Sequence, residues 1–528
     1  MKKRKGLLSF MVALGLLGTS CSNDLEKYND DDRNLTPDQF AADFRNVGDE
    51  YKPIFESIYQ YFPAWSYQLQ QNLNADVYSG YMTNPRPFVA GANNTTYALV
   101  SGWNGFIWSV PYQFVMPKYD LIKNLTAEEY PVLNAIGLTL RVSAMHRVSD
   151  VFGPIVYSNY GDPENPGVYD SQEQAYDAFF ADLDTAIAAI SADPTNQSFA
   201  PFDFSYGGNV EKWGRLANSL RLRLAIRISK VDPVRAKLEG EKALAHPLGV
   251  MMDNSDSFFV NSQLAHPLAT IDNSWGDIRM NASMESILTG LGDDRINSYF
   301  DAGADYPGEI KGIRNGLPLQ AGYDDEIAQK GAYVGFSTLN ESVKTSSAQL
   351  MTASEVYFLR AEAALRGWAG AGDAQSNYET GITTSFQQHG ANVVGYIADN
   401  TSTPADYVDP VNAANNMAAM SNVTVAWDNG VDNETKLEKI ITQKWIAMFP
   451  EGQEAWSEYR RTGYPKIFPV VSNQSAGAVD TDIQIRRIPF VDNELSTNPT
   501  NVQTATGYLN GPDNAGTRLW WDTGASNF

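Results

Sequence analysis

Apolar side chains recur at intervals of three and four along much of the chain. Tyr176, Phe179, Phe180, Leu183, Ile187 and Ile190 fall on one stripe, with Asp177, Asp182 and Asp184 off it. That spacing predicts a helix burying one face. Trp213, Leu216, Ala217, Leu220, Leu224 and Ile228 form a second stripe, flanked by Arg215, Arg221, Arg223 and Arg227. Four arginines on one helix can serve an anion site. In a chain rich in carboxylates, the expected arrangement is stems laid on the core and heads paired with acids. Thr352-x-x-Glu355 reads as a capping box opening a third helix, which continues through Tyr357, Ala361, Ala364 and Leu365 and stops at Gly367. Ala374, Tyr378 and Gly381 mark the next helix, and their small members allow two helices to approach closely. Leu437, Ile440, Ile441, Trp445 and Met448 predict a helix ending near Pro450. Ala455, Trp456 and Tyr459 predict a short one closed by Gly463.

Strand–helix–strand alternation of the kind that builds a parallel sheet is absent from the pattern, and no phosphate-binding glycine loop opens any helix. The expectation is a mainly α protein built of helix pairs. Stretches rich in Gly, Asn and Pro interrupt it at 84–104, 158–170, 300–335, 390–434 and 470–528. Connections this long are commonly functional. With aromatic residues at 12% of the chain, ordered loops facing a ligand are expected on a rigid helical scaffold.

The N-terminus has a different character. Lys2, Lys3, Arg4 and Lys5 precede an apolar run from Leu7 to Leu17, then Gly18-Thr19-Ser20 and the single Cys21. A basic segment, a short apolar segment and small residues are the parts of a secretory signal, here residues 1–20. The run is too short to cross a bilayer, which takes about 20 apolar residues. A lone Cys directly after the small residues resembles a bacterial lipobox, in which Cys21 becomes the lipidated first residue. Residues 21–35, with Asp24, Glu26, Asp30, Asp31 and Asp32, read as an acidic tether, and 36–528 as one domain. Removing the signal takes away four positive charges, so the net charge goes from −23 to −27. That balance argues against nucleic acid as partner. One Cys permits no internal disulfide, and His146, His246, His266 and His389 have no metal-ligand spacing. Asp428, Asp432 and Glu434 lack the calcium-loop pattern, so neither metal nor cofactor is expected.

Several segments together resemble a known family. They are Lys212-Trp213-Gly214-Arg215-Leu216-Ala217-Asn218-Ser219-Leu220-Arg221, Leu359-Arg360-Ala361-Glu362-Ala363-Ala364, Gln443-Lys444-Trp445, Trp456-Ser457-Glu458-Tyr459-Arg460-Arg461-Thr462-Gly463-Tyr464-Pro465 and Arg486-Arg487-Ile488-Pro489. The set resembles the SusD/RagB family of outer-membrane nutrient-binding lipoproteins. The resemblance implies a tetratricopeptide-like helix-pair scaffold with long loop-rich insertions that form the ligand face. Ser354–Phe386 fits one helix pair, although Glu362 stands where the repeat pattern would have Gly. The resemblance also implies a non-catalytic surface protein that captures an oligosaccharide, or an oligopeptide in RagB-type members. Such a protein delivers its ligand to a SusC-like TonB-dependent transporter in the outer membrane. An adhesive surface protein is the remoter alternative.

The motif residues themselves read as structural. Arg460 and Arg461 lie at a helix C-terminus, where they complement the dipole, and Trp445 and Trp456 hold core positions. Ligand is expected on aromatics in loops. A sugar ring offers an apolar C–H face to Trp or Tyr, and its hydroxyl edge is satisfied by Asn, Gln, Asp or Arg. Three regions carry that mixture. The first is Trp65, Tyr67, Gln68, Gln71, Asn72, Asp76, Tyr78 and Tyr81; the second is Asn93, Asn94, Trp103, Asn104 and Trp108; the third is Asn273, Ser274, Trp275, Asp277 and Arg279. Trp275 is the first candidate, followed by Tyr81 and Trp65. Core packing competes with ligand contact for each ring. A glycosidase would need two carboxylates about 5 to 9.5 Å apart. With 62 acidic residues such pairs carry no information, so no enzyme is expected.

Overall fold

The computed structural model describes residues 44–86, 94–318 and 331–528. The signal, Cys21 and the acidic tether lie outside the described residues, as does Asn93. Residues 44–49 contribute one short turn, Arg45–Gly48. The helices and the candidate site belong to the compact unit Glu50–Phe528.

Helices dominate. Those of eight residues or more are α1 (Tyr51–Ile58), α2 (Ser101–Phe114), α3 (Met116–Thr126), α4 (Pro131–Phe152), α5 (Gln172–Ala192), α6 (Val210–Arg227), α7 (Pro233–Ala245), α8 (Ala282–Gly290), α9 (Ala353–Leu365), α10 (Ala374–His389), α11 (Asn433–Met448), α12 (Gly452–Thr462) and α13 (Pro499–Gly507). Successive helices pack as pairs: α4 on α5, α6 on α7, α9 on α10 and α11 on α12. Contacts of α5 with α6, α6 with α9 and α9 with α11 join the pairs into one scaffold. The expected mainly α, helix-pair architecture is therefore the one adopted. Among the described residues, strands are limited to three short antiparallel pairs: Met82–Thr83 with Arg279–Met280, Phe258–Val260 with Ala348–Met351, and Phe300–Asp301 with Thr338–Leu339. No described helix is long and apolar enough to cross a membrane.

Both predicted apolar stripes, on α5 and α6, are buried along their length. At α9 the Thr352 hydroxyl accepts from the Glu355 backbone N–H at 3.2 Å, but the Glu355 carboxylate turns instead to Arg223. Only half of the expected capping box forms there. A complete one opens α5, where Ser171 and Gln174 cap each other at 3.2 and 2.8 Å. Gly381 matters as expected: a Cβ there would stand 2.9 Å from the Phe358 ring, so its absence lets α10 close on α9. The segment 470–528 departs from the loop expectation. It contains Asp492–Thr497 and α13, short helices whose few turns leave little periodicity to read.

The arginines of α6 pair with acids. Arg223 meets Glu355 through two nitrogens, at 2.8 and 2.6 Å. Arg227 reaches Asp150 at 3.4 Å and also binds Glu454 and Glu458. Lys444 lies 3.3 Å from both Glu454 and Glu458, and Arg461 bridges Glu458 and Glu362 at 2.7 Å. These groups are nearly solvent-free, so each ion depends on its counter-ions. Arg221 pairs with Asp184 and Glu239, and Arg215 with Asp256 at 2.9 Å. The signature arginines are thus mostly fasteners between helix pairs.

Candidate ligand-binding platform

Three exposed rings rise from two irregular segments. Phe62 is 73% exposed, Trp65 49% and Trp275 37%. Trp65 stands on the four-residue turn Ala64–Tyr67, which runs directly into a π-helical turn, Gln68–Asn72. Trp275 ends a second π-helical turn, Thr270–Trp275, closed by Gly276 at φ +66°. Such wide turns interrupt regular helix and frequently occur at functional sites. The Ala64–Tyr67 turn packs against Thr270–Trp275. Gln68 fastens the two by donating to the Asp277 carboxylate at 2.9 Å. Asn84 adds a bond to the Asp277 carbonyl at 2.8 Å.

Below the Trp275 turn lies a buried anchor. Asp272 accepts from Arg279 at 3.2 Å and from the Leu339 backbone N–H at 3.0 Å. Lys344 donates to the Asn273 side-chain oxygen at 2.9 Å, and Asn273 is exposed. Arg279 is buried and spends its guanidinium on Asp272 and on the carbonyls of Val334 and Ile278. It positions the turn and is not a surface ligand contact.

Four other candidates are likewise corrected by burial. Tyr81 is 0% exposed; it packs on Trp445 and Phe449, and its hydroxyl donates to the Trp445 carbonyl. Tyr67, Asn72 and Asp76 are also closed off from solvent. They belong to one polar chain beneath the platform. The His266 Nδ1 accepts from the Leu268 N–H at 3.2 Å, which leaves Nε2 to donate to the Tyr59 hydroxyl at 2.9 Å. Tyr59 donates to Tyr67 at 2.8 Å, and Tyr67 donates to Asp76 at 3.2 Å. Asp76 also accepts from Gln71 at 3.2 Å and Asn72 at 3.0 Å. Burial raises the Asp76 carboxyl to about 6 against the help of these donors. Burial lowers His266 to about 3, so it is neutral at ordinary pH.

The platform continues along α2. Trp103 is half-buried, and one turn later Phe106 meets Trp65 edge to face at 5.3 Å between centroids. Asn104 and Trp108 of that region are buried, Trp108 among Tyr112, Phe152 and Tyr169. Phe106 also lines a cleft of about 1170 Å³ bounded by Tyr112, Tyr160, Asp162, Asp492, Glu494 and Asn498. The aromatic surface therefore leads from Trp65 over Phe106 into a roomy cleft that mixes aromatic walls with acids and amides. Of the cleft residues, the sequence singles out only Trp108. Tyr160, Asp162, Asp492, Glu494 and Asn498 are signalled only by their place in the long segments 158–170 and 470–528, and Phe106 and Tyr112 by nothing beyond their position on α2. Flat rings flanked by amide and carboxylate groups can cover sugar C–H faces and bond hydroxyl edges.

Comparisons with known proteins agree with this architecture. A family model described as SusD-like, SusD and RagB outer membrane lipoprotein, matches residues 27–522. No curated protein matches the chain. Among solved structures, a chitin-binding SusD homolog from Flavobacterium johnsoniae is 50% identical, with a TM-score of 0.87 over 91% of this chain and 100% of that one. A SusD homolog from Bacteroides vulgatus is 38% identical, with a TM-score of 0.87 over 92% of this chain and 100% of that one. A third, from Bacteroides uniformis, is 35% identical at 0.83, over 90% and 99% of the two chains.

Proposed function

The chain belongs to the SusD-like family of outer membrane lipoproteins, and from that premise we propose that it captures oligosaccharides of chitin type at the cell surface. Similarity over nearly the whole length to a chitin-binding relative at 50% identity carries the reading. The exposed rings of Phe62, Trp65 and Trp275 supply a surface suited to it. N-acetylglucosamine units would lay their C–H faces on these rings. Asn273 and Asp277 lie beside Trp275 in the chain and suit hydroxyl and acetamido groups. The captured glycan is then passed to a SusC-like TonB-dependent transporter, with this protein anchored through the lipid on Cys21. The role is binding, without a reaction on the sugar.

Calorimetry against chito-oligosaccharides, other oligosaccharides and oligopeptides tests the ligand. Saturable binding of N-acetylglucosamine oligomers, lost on Trp65→Ala together with Trp275→Ala, is the expected result. Binding of peptides alone would replace the glycan reading. Recovery with a large β-barrel partner in mild detergent checks the transporter assignment, and mass spectrometry of the incubated sugar should reveal no shortened product.

A further inference from the structure

The C-terminal end of α12 opens on a second cavity, of about 460 Å³, whose lining shares no residue with the platform or its cleft. Tyr459–Gly463, Lys466, Ile467 and Pro469 form one side, and Asp482–Gln484 with Arg486 another. Lys230, Met420 and Arg518 also line it.

Its charge is opposite to that of the chain. In a protein of net charge −23, Lys230, Arg460, Lys466, Arg486 and Arg518 line this cavity beside Arg461, whose charge Glu362 and Glu458 already match. Arg486 and Arg518 share a single carboxylate, Asp522, at 2.6 Å each. Among the described residues, Lys230, Arg460 and Lys466 have no carboxylate oxygen within the 4.0 Å of an ion pair. Lys230 donates to the Arg461 carbonyl at 2.9 Å, which leaves donors of its ammonium to spare. Arg460 is buried, donates to the Arg486 carbonyl at 2.8 Å and the Ser457 hydroxyl at 2.9 Å, and stacks 3.6 Å from the Trp456 ring. Lys466 is exposed, with its ammonium 4.5 Å from the Tyr464 ring centroid. The acid on the lining is Asp482, at the exposed rim. Burial, with Arg461 next, pulls the Lys230 ammonium down to about 8, against the more distant Asp522 and Glu434.

The cavity also has an apolar wall. Met420, Ile483 and Ile467 line it, the first two exposed and Ile467 buried. Around Glu458 the buried cations are matched by acids; here several positive groups gather beside exposed apolar side chains, an arrangement that suits a counter-ion brought from outside. We infer that this cavity is a binding site for an organic anion, a carboxylate or phosphate group carried on a small apolar body. The anion meets Lys230 and Lys466, and the apolar part covers Met420 and Ile483.

The test is a titration of the mature protein labelled with ¹³C-methyl methionine, following the Met420 signal identified by its loss in Met420→Leu. Sodium benzoate, inorganic phosphate and the neutral benzamide are the probes, at constant ionic strength. Benzoate should shift the Met420 signal saturably at millimolar concentration, with phosphate at least fivefold weaker and benzamide without effect. Lys230→Gln with Lys466→Gln should weaken benzoate at least tenfold, leaving the melting temperature within about 2 °C and chito-oligosaccharide binding unchanged. Lys230→Arg with Lys466→Arg should restore it. Equal binding of benzamide, or undiminished benzoate binding by the glutamine variant, overturns the proposal. Neither result bears on the glycan platform, which is read out separately.

Discussion

Asp76 carries a pH signature. Its folded pKa of about 6 lies above the ordinary 3.8, chiefly because burial disfavours the charged form. A raised carboxyl binds its proton more tightly in the folded state. Its contribution to stability is therefore fully present below about pH 4 and is lost as pH rises through 6. Asp76→Asn removes that dependence. Its stability relative to the parent should rise by roughly 2–3 kcal/mol between pH 4 and pH 8, read by urea unfolding at each pH. At the surface, Trp65→Ala and Trp275→Ala should each weaken glycan binding about tenfold, roughly 1.4 kcal/mol, with little change in melting temperature. Sequence made Trp65 and Trp275 legible as rings among amides, and both are exposed. It could not separate them from Tyr67, Asn72, Asp76 and Tyr81. A tyrosine near Asn and Asp reads the same whether it serves a sugar or a buried acid. Turns of four to six residues are too short for periodicity to tell inside from outside.

Among the elements, legibility followed one-sidedness. Helix α5 buries a stripe and displays charge, so its pattern is plain; α6 is also legible, because arginines mark its period even though most of them are paired inside. Helix α4 is buried on nearly every face, including His146, Arg147 and Asp150, and so offers no polar face to mark its period. The pairing of helices depends on contacts that sequence does not display, and Glu458 makes several of them. It holds Arg227, Arg461 and Lys444 from one position, and these cations, Arg461 first, keep its carboxyl well below the usual range against its burial. Glu458→Gln leaves them short of charge and should destabilise the fold by about 3–5 kcal/mol in chemical denaturation at pH 7. Because a depressed carboxyl gives stability that is lost on acidification, the deficit should shrink as the pH falls below about 4.5. At Gly381, even Ala brings a Cβ to 2.9 Å from Phe358, so Gly381→Ala should lower the melting temperature by forcing α9 and α10 apart.

At the scale of the whole molecule, the proposed lipid on Cys21 is what would hold the domain at the outer membrane. Cys21→Ala should move the protein from the outer-membrane fraction to the soluble one while chito-oligosaccharide affinity stays the same, as fractionation and calorimetry on one preparation would establish. The way the platform is held bears on the thermodynamics of capture. Asp272 and Asp277 fix the Trp275 turn from below and from the side, and Gln68 ties it to the turn bearing Trp65. The rings are already placed before any sugar arrives. Ordering on association then falls chiefly on the flexible glycosidic linkages of the ligand, not on the protein backbone. At equal length, stiffer oligomers, which have less linkage freedom to lose, should bind more tightly than flexible ones that cover the same rings.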